Sequence, residues 1–302
     1  MSNWSKNIST FLGCDSTYAR AGIVLFGAPF DGTTSYRPGT RFASRTMRAE
    51  SYSLETYSPY QNKDLSDCRI FDGGDLELPF GNAALALEQI ESCSARILAD
   101  GKLPVMIGGE HLVTLGAVRA TIARYPDLHI VHFDAHTDLR DSYMEESLSH
   151  ATVMRRCWDL VGDGRIFQYG IRSGDRPEFA WAREHISCHL FDFATLAETV
   201  NALVLAGKPV YLTIDLDVLD PSIFPGTGTP EAGGVGFPDL LQAILAVSRL
   251  NIVACDINEL SPPLDPSGSS TAVALKVLRE LLLTLAGRPV QVPGGRQAGL
   301  IC

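Results

Sequence analysis

Near the middle of the chain, Val131-His-Phe-Asp-Ala-His-Thr-Asp-Leu-Arg140 places three metal-ligand types, Asp134, His136 and Asp138, two positions apart. In extended chain, side chains at i, i+2 and i+4 project to the same side. Two carboxylates and an imidazole therefore converge on one small volume at the end of the apolar run Leu128 to Phe133. Three other apolar runs end the same way. His111 follows residues 103–107 through Gly108-Gly-Glu, Asp215 and Asp217 close the run Val210 to Ile214, and Glu259 follows Ile252 to Cys255. His111, Asp134, His136, Asp138, Asp215 and Asp217 together offer more donors than one tetrahedral zinc takes, and none is a cysteine. They suit two cations about 3.5 Å apart, bridged by carboxylate oxygens and a water. Mixed carboxylate and imidazole donors fit manganese best, with iron, nickel, cobalt or zinc as alternatives. Such a pair acidifies the bridging water and supplies hydroxide near neutral pH, so the chemistry indicated is hydrolysis.

Each cluster alone is weak. A D-x-D after a strand caps a loop as readily as it binds metal, and a lone histidine at a helix start is more often structural. The weight comes from shared placement, because ligands of parallel α/β sheets bind outside the carboxyl ends of the strands. His132 is expected to pack against a neighbouring strand rather than to ligate. His129, His185 and His189 are taken as structural or surface residues. Gly108 and Gly109 permit close backbone approach.

The elements that must position these residues alternate along the chain. Strands are expected at 21–27, 69–74, 103–107, 128–133, 166–170, 189–191, 210–214 and 252–255, from short apolar runs closed by turn formers. Helices are expected at 42–57, 83–100, 112–125, a run ending near 185, 194–206, 237–250 and 270–285, from their apolar spacing. Residues 139–149 form a polar, acidic connector ending at His150, and 221–236 a Pro/Gly-rich loop. This alternation predicts an α/β fold: a single three-layer domain with a central, mainly parallel sheet of about eight strands flanked by helices. The domain spans 21–286, after an N-terminal surface arm (1–20) and before a C-terminal tail (287–302) without clear period.

The 302 residues carry a formal net charge of −10, which excludes nucleic acid as an expected partner, since phosphate binding needs clustered cations. The acidity favours a cationic substrate or serves solubility alone. Seven cysteines, odd in number and without a C-x-x-C pair, point to free thiols in a reducing compartment. Neither a signal peptide nor a stretch of roughly 20 apolar residues is evident, so a cytoplasmic protein off the membrane is expected.

Gly108-Gly-Glu-His111, Asp134-Ala-His-Thr-Asp138, Ser149-His150 and Asp215-Leu-Asp217-Val-Leu-Asp-Pro221 resemble the ordered signatures of the ureohydrolases, the arginase-like binuclear manganese amidinohydrolases. The resemblance runs from about Gly22 to Leu285. Within that family the chain is similar to the agmatinase branch, through Ser35-Tyr-Arg-Pro-Gly-Thr-Arg41, Gly170-Ile-Arg-Ser-Gly174, Pro225-Gly-Thr-Gly-Thr229 and Glu259-Leu-Ser-Pro-Pro-Leu-Asp265. The loop 139–149 carries Asp141, Glu145 and Glu146 and no asparagine, which is expected to repel a substrate carboxylate and tolerate an amine. Ala151 stands where the family usually has glycine.

The resemblance implies two Mn²⁺ per subunit, one on His111, Asp134, Asp138 and Asp215, the other on His136, Asp134, Asp215 and Asp217. It further implies that Glu259 pairs with the guanidinium, that His150 shuttles protons, and that Asp138 protonates the leaving amine. The implied reaction is hydrolysis of agmatine to putrescine and urea by the metal-bridging hydroxide, in a homotrimer or homohexamer. Another guanidino substrate, a single-zinc deacetylase on the related fold, and a silent homologue are the competing expectations.

Overall fold

The computed structural model describes residues 9–286. In chain order the strands are β1 (Ile23–Gly27), β2 (Tyr57–Ser58), β3 (Lys63–Asp64), β4 (Ile70–Asp75), β5 (Leu103–Ile107), β6 (His129–Phe133), β7 (Ile166–Ile171), β8 (Ser187–Leu190), β9 (Pro209–Asp215) and β10 (Asn251–Asn258). The α-helices are α1 (Ala43–Glu50), α2 (Ala83–Ala99), α3 (Thr114–Arg124), α4 (Val153–Val161), α5 (Arg176–His185), α6 (Leu196–Leu205), α7 (Phe237–Ala246) and α8 (Ser269–Ala286). Eight strands form one sheet in the order β4-β1-β5-β10-β9-β6-β7-β8, and every neighbouring pair is parallel. β5, β6 and nearly all of β9 and β10 are buried along their length, as expected where helices cover both faces. One apolar layer packs under α1, α6, α7 and α8. The other packs under α2 to α5. The expected single three-layer domain is the observed one.

Several local expectations are corrected. The helix expected over 42–57 ends at Glu50, passes through a short 3-10 turn, and is extended by Leu54. Ser51 Oγ bonds the Arg48 carbonyl, a local side-chain bond that competes with helix propagation. The chain then forms the small antiparallel hairpin β2–β3, held on α8 by Gln61 to the Glu280 carbonyl and by Lys63 to the Leu283 carbonyl. Helix α4 was not foreseen. Its buried Val153, Met154, Cys157 and Val161 form one helical stripe, but the run is short and interrupted by charge. The arm expected at the surface is docked in its described part, 9–20: Phe11 and Cys14 are fully buried, and Phe11 N–H donates to Asp72. The tail 287–302 lies outside the described residues. Among the described residues no helix is long and apolar enough to cross a membrane.

Candidate metal centre

β5, β10, β9 and β6 are consecutive in the middle of the sheet, and their carboxyl ends carry all four ligand clusters. His111 opens the turn before α3, Asp134 directly follows β6, Asp215 ends β9, and Glu259 directly follows β10. Gly108 and Gly109 make this convergence sterically feasible. A Cβ at Gly108 would overlap the Asn258 side chain, and one at Gly109 would overlap the Phe30 backbone. Asp138 and Glu259 both adopt left-handed backbone, with φ of 52° and 67°. Such conformations cost about 1–3 kcal/mol for residues other than glycine and gather at functional sites.

The donors fall into two sets. His111 Nδ1 lies 3.1 Å from Asp134 Oδ2, 3.1 Å from Asp138 Oδ2 and 3.4 Å from Asp215 Oδ2. His136 Nδ1 lies 3.0 Å from Asp217 Oδ2 and 3.5 Å from Asp134 Oδ1. Asp134 thus spans both sets, one oxygen to each. Asp215 faces the first set and accepts the Asp217 N–H through Oδ1. Asp217 Oδ2 is buried, with His136 Nδ1 as its neighbour. His111 Nε2 lies 2.9 Å from Thr213 Oγ1, so its two nitrogens face opposite sides.

The electrostatics describe a site in need of cations. Burial, then the charge of Asp134, pushes Asp138 up to about 7. Burial, then Asp217, pushes Asp215 well above the usual carboxylate range. Burial opposes a charge on both imidazoles, yet the surrounding carboxylates outweigh it and hold His111 and His136 well above a free histidine. Without metal, protons on the imidazoles and on some of the carboxyls offset the charge of so dense a cluster. Divalent cations would displace those protons. The donor set fits metal.

Above the cluster is a cleft of about 250 Å³ that also exposes Glu259 and His150. Glu259 Oε1 accepts the His111 N–H at 2.7 Å. Oε2 makes no hydrogen bond among the described residues. His150 Nδ1 lies 2.9 Å from the Thr33 carbonyl, which only accepts, so Nδ1 carries the proton. Nε2 is then the free base, with Ser35 Oγ at 3.2 Å. Burial holds His150 below a free histidine, which favours that neutral form. Thr33 is itself held by Glu110, a fully buried carboxylate that accepts Thr33 N–H at 2.9 Å, Thr33 Oγ1 at 2.5 Å and Thr34 Oγ1 at 3.1 Å.

A family model described as the arginase family matches residues 21–284. The agmatinase of Bacillus subtilis (strain 168) is 45% identical over 276 residues, covering 90% of this chain and 95% of the relative. The chain belongs to the arginase family. It is a metal-dependent ureohydrolase, and agmatinases are among its relatives in sequence. A crystal structure of a candidate agmatinase from Clostridium difficile superposes on this ureohydrolase with a TM-score of 0.87 at 51% identity, covering 89% of this chain and 98% of the other. The guanidinobutyrase of Pseudomonas aeruginosa is 34% identical, covering 87% of this chain and 86% of its own length.

Sequence reasoning missed part of the ureohydrolase cleft. The acidic loop residues expected to face the substrate do not line it. Asp141 is exposed and pairs with Arg156 at 2.6 Å, Glu145 is exposed, and Glu146 lines a neighbouring cavity. The loop instead contributes Arg140 and Tyr143, and the acidic wall comes from Asp175, which caps α5, and Glu178 in its first turn. A capping box at the start of α5, with Asp175 as cap and Glu178 three residues on, was the available signal. His132 is also more than packing, since its Nε2 lies 2.7 Å from Asp134 Oδ2.

Proposed function

We propose that this ureohydrolase hydrolyses agmatine to putrescine and urea with two Mn²⁺ ions. His111, Asp134, Asp138 and Asp215 hold one ion, and His136, Asp134, Asp215 and Asp217 hold the other. Bound as a pair, the ions supply water acidified enough to act as a nucleophile near neutral pH. Glu259 receives the guanidinium: Oε1 is anchored by His111 N–H, so Oε2 meets the substrate in a fixed direction, as a charge-assisted hydrogen bond requires. His150, a base at Nε2, passes protons between the cleft and solvent. Asp138 gives the leaving amine its proton. Water adds across the guanidino C–N bond, so the nitrogen on the butyl chain leaves as amine and the remaining carbon leaves as urea.

The observation that carries the substrate reading is the charge of the lining. Beyond the metal ligands, Asp175, Glu178 and Glu259 line the cleft against one arginine, Arg140. Glu178 is committed to Thr137 Oγ1 and the N–H groups of Leu139 and Asp175. Asp175 is 41% exposed; its Oδ1 caps α5 through the Glu178 N–H and its Oδ2 lies 3.5 Å from Arg140 Nη1, so the far ammonium of agmatine competes with Arg140 for this distal carboxylate. Arg140 favours a second reading, a guanidino acid whose carboxylate displaces Asp175 from that arginine. The soluble composition and the family support a cytoplasmic homotrimer or homohexamer.

Urea release by manganese-loaded protein, with agmatine, guanidinobutyrate, guanidinopropionate, arginine and guanidine in parallel, tests this. Preference for agmatine supports the first reading and preference for a guanidino acid the second. No urea from any of them, with two ions verified per chain, refutes both.

A further inference from the structure

His132 on β6 stands two residues before Asp134, which directly follows the strand, so in extended chain both side chains project to the same side. Gln168 is its register partner on β7. All three side chains are fully buried, and their hydrogen bonds determine which atoms carry protons. Gln168 Nε2 lies 2.7 Å from the Thr137 carbonyl. A carbonyl only accepts, so this contact fixes which end of the amide is nitrogen. Gln168 Oε1 is buried without a partner, and turning the amide over would set oxygen against the carbonyl oxygen. The same Nε2 lies 3.0 Å from His132 Nδ1. A donor there requires that Nδ1 be bare, so the ring proton is on Nε2, 2.7 Å from Asp134 Oδ2.

His111, His132 and Asp134 lie close enough together to be read as a ligand triad. The hydrogen bonds argue otherwise. To ligate through Nε2, His132 would move its proton to Nδ1 and place it against the Gln168 N–H, donor facing donor. We propose that His132 is a positioning residue: Gln168 fixes its tautomer, and its Nε2–H orients the shared ligand Asp134. Asp134 Oδ1 meanwhile accepts the His136 N–H. Each carboxylate oxygen has two lone-pair sites, so one hydrogen bond on each leaves one lone pair on each that could serve a metal. His132 therefore holds the Asp134 carboxylate in the orientation that presents Oδ2 to His111 and Oδ1 to His136. This rests on the two-ion reading above.

The test uses full-length protein stripped of metal and titrated with Mn²⁺, with ions per chain counted by elemental analysis and affinities taken from calorimetry. The variants are His132→Phe, His132→Gln and Gln168→Leu. Glutamine retains a donor toward Asp134 and an acceptor toward Gln168, so His132→Gln should bind two ions within a few-fold of wild type. His132→Phe should still bind two, with affinity lowered about 10–100-fold, the usual effect of losing a residue that orients a ligand. Gln168→Leu should weaken binding in the same direction. A loss of one ion in His132→Phe would make His132 a ligand and overturn the proposal. Two ions at wild-type affinity in that variant would overturn it equally. If His132→Phe does not fold, wild-type affinity in Gln168→Leu refutes the tautomer lock and weakened affinity supports it. Fewer than two ions in the wild type would instead refute the underlying two-ion reading.

Discussion

Thr33→Val removes one hydroxyl that serves two residues of the cleft while keeping shape and main chain. That hydroxyl donates to Glu110 and accepts the His150 N–H at 3.1 Å. A hydrogen bond to a charged partner contributes about 1.5–3 kcal/mol and a neutral one about 0.5–1.5 kcal/mol. With Glu110 ionised, the variant should lose about 2–4.5 kcal/mol, which in a chain of this size lowers Tm by on the order of 3–7 °C. The loss should depend on pH. Burial pushes Glu110 up to about 7, against the lowering effect of its threonine partners. A carboxyl raised in the folded state stabilises fully below its unfolded value, and that stabilisation is lost as pH rises through about 7. Removing a bond that favours the charged form raises Glu110 further, so the variant loses more than the wild type above pH 7. At pH 6 Glu110 is largely protonated in both proteins, and the deficit should shrink by roughly half, to the range of neutral hydrogen bonds. Thermal melts of wild type and Thr33→Val at pH 6 and pH 8, with metal saturating and ionic strength fixed, measure this. An equal deficit at both pH values would refute ionisation of Glu110 in this range, and no deficit at all would refute the bonding pattern.

Other substitutions separate positioning from chemistry. Glu259→Gln keeps an oxygen for the His111 N–H but removes the charge that meets a guanidinium, so kcat/KM should fall about 10–100-fold while Tm stays near wild type; an unchanged kcat/KM would remove Glu259 from substrate binding. His150→Asn should lower kcat by about 10²–10⁴, the usual contribution of a positioned acid–base group, and a loss under tenfold would exclude a proton-transfer role. Because Asp138 is raised to about 7 and Asp215 also upward, protons compete with metal; calorimetric Mn²⁺ affinity should strengthen from pH 6 to pH 8 with proton release, and pH-independent binding would contradict the raised carboxyls. Gly109→Ala sets a methyl against the Phe30 backbone, which cannot move aside, whereas Gly108→Ala meets the Asn258 side chain; melts should show Gly109→Ala as the more destabilised, by more than the roughly 1–3 kcal/mol of ordinary overpacking.

The ligand clusters were legible because their geometry is local. A spacing of two at a strand end fixes which side chains share a face, and parallel strands bring their carboxyl ends to one edge. The distal cleft was not legible for the opposite reason. Whether Asp141 or Asp175 faces the substrate depends on which acid finds a partner elsewhere. Arg156, fifteen residues along, draws Asp141 to the surface, while Thr137 and Leu139 draw Glu178 inward. Composition gives the charge of a loop but not its direction. The hairpin β2–β3 was hidden similarly, since its anchors at Glu280 and Leu283 lie more than two hundred residues away.

The strained residues show where local rules had to fail. After β6 and β10, the backbone continuing as strand would carry Asp138 and Glu259 away from the sheet edge. Both instead turn through left-handed backbone, and in each case long-range main-chain bonds hold the turn. The Asp138 carbonyl accepts the N–H groups of Met154 and Arg155, at the start of the helix that the sequence did not reveal. Glu259 N–H donates to the Gly109 carbonyl, and its carboxylate accepts the next-but-one N–H along that loop, at His111. The glycine pair, the unforeseen helix and the two strained acids are thus parts of one device. Close approach of the 108–111 loop and α4 supplies the hydrogen bonds that offset the strain, and the strain turns two carboxylates back over the metal ligands.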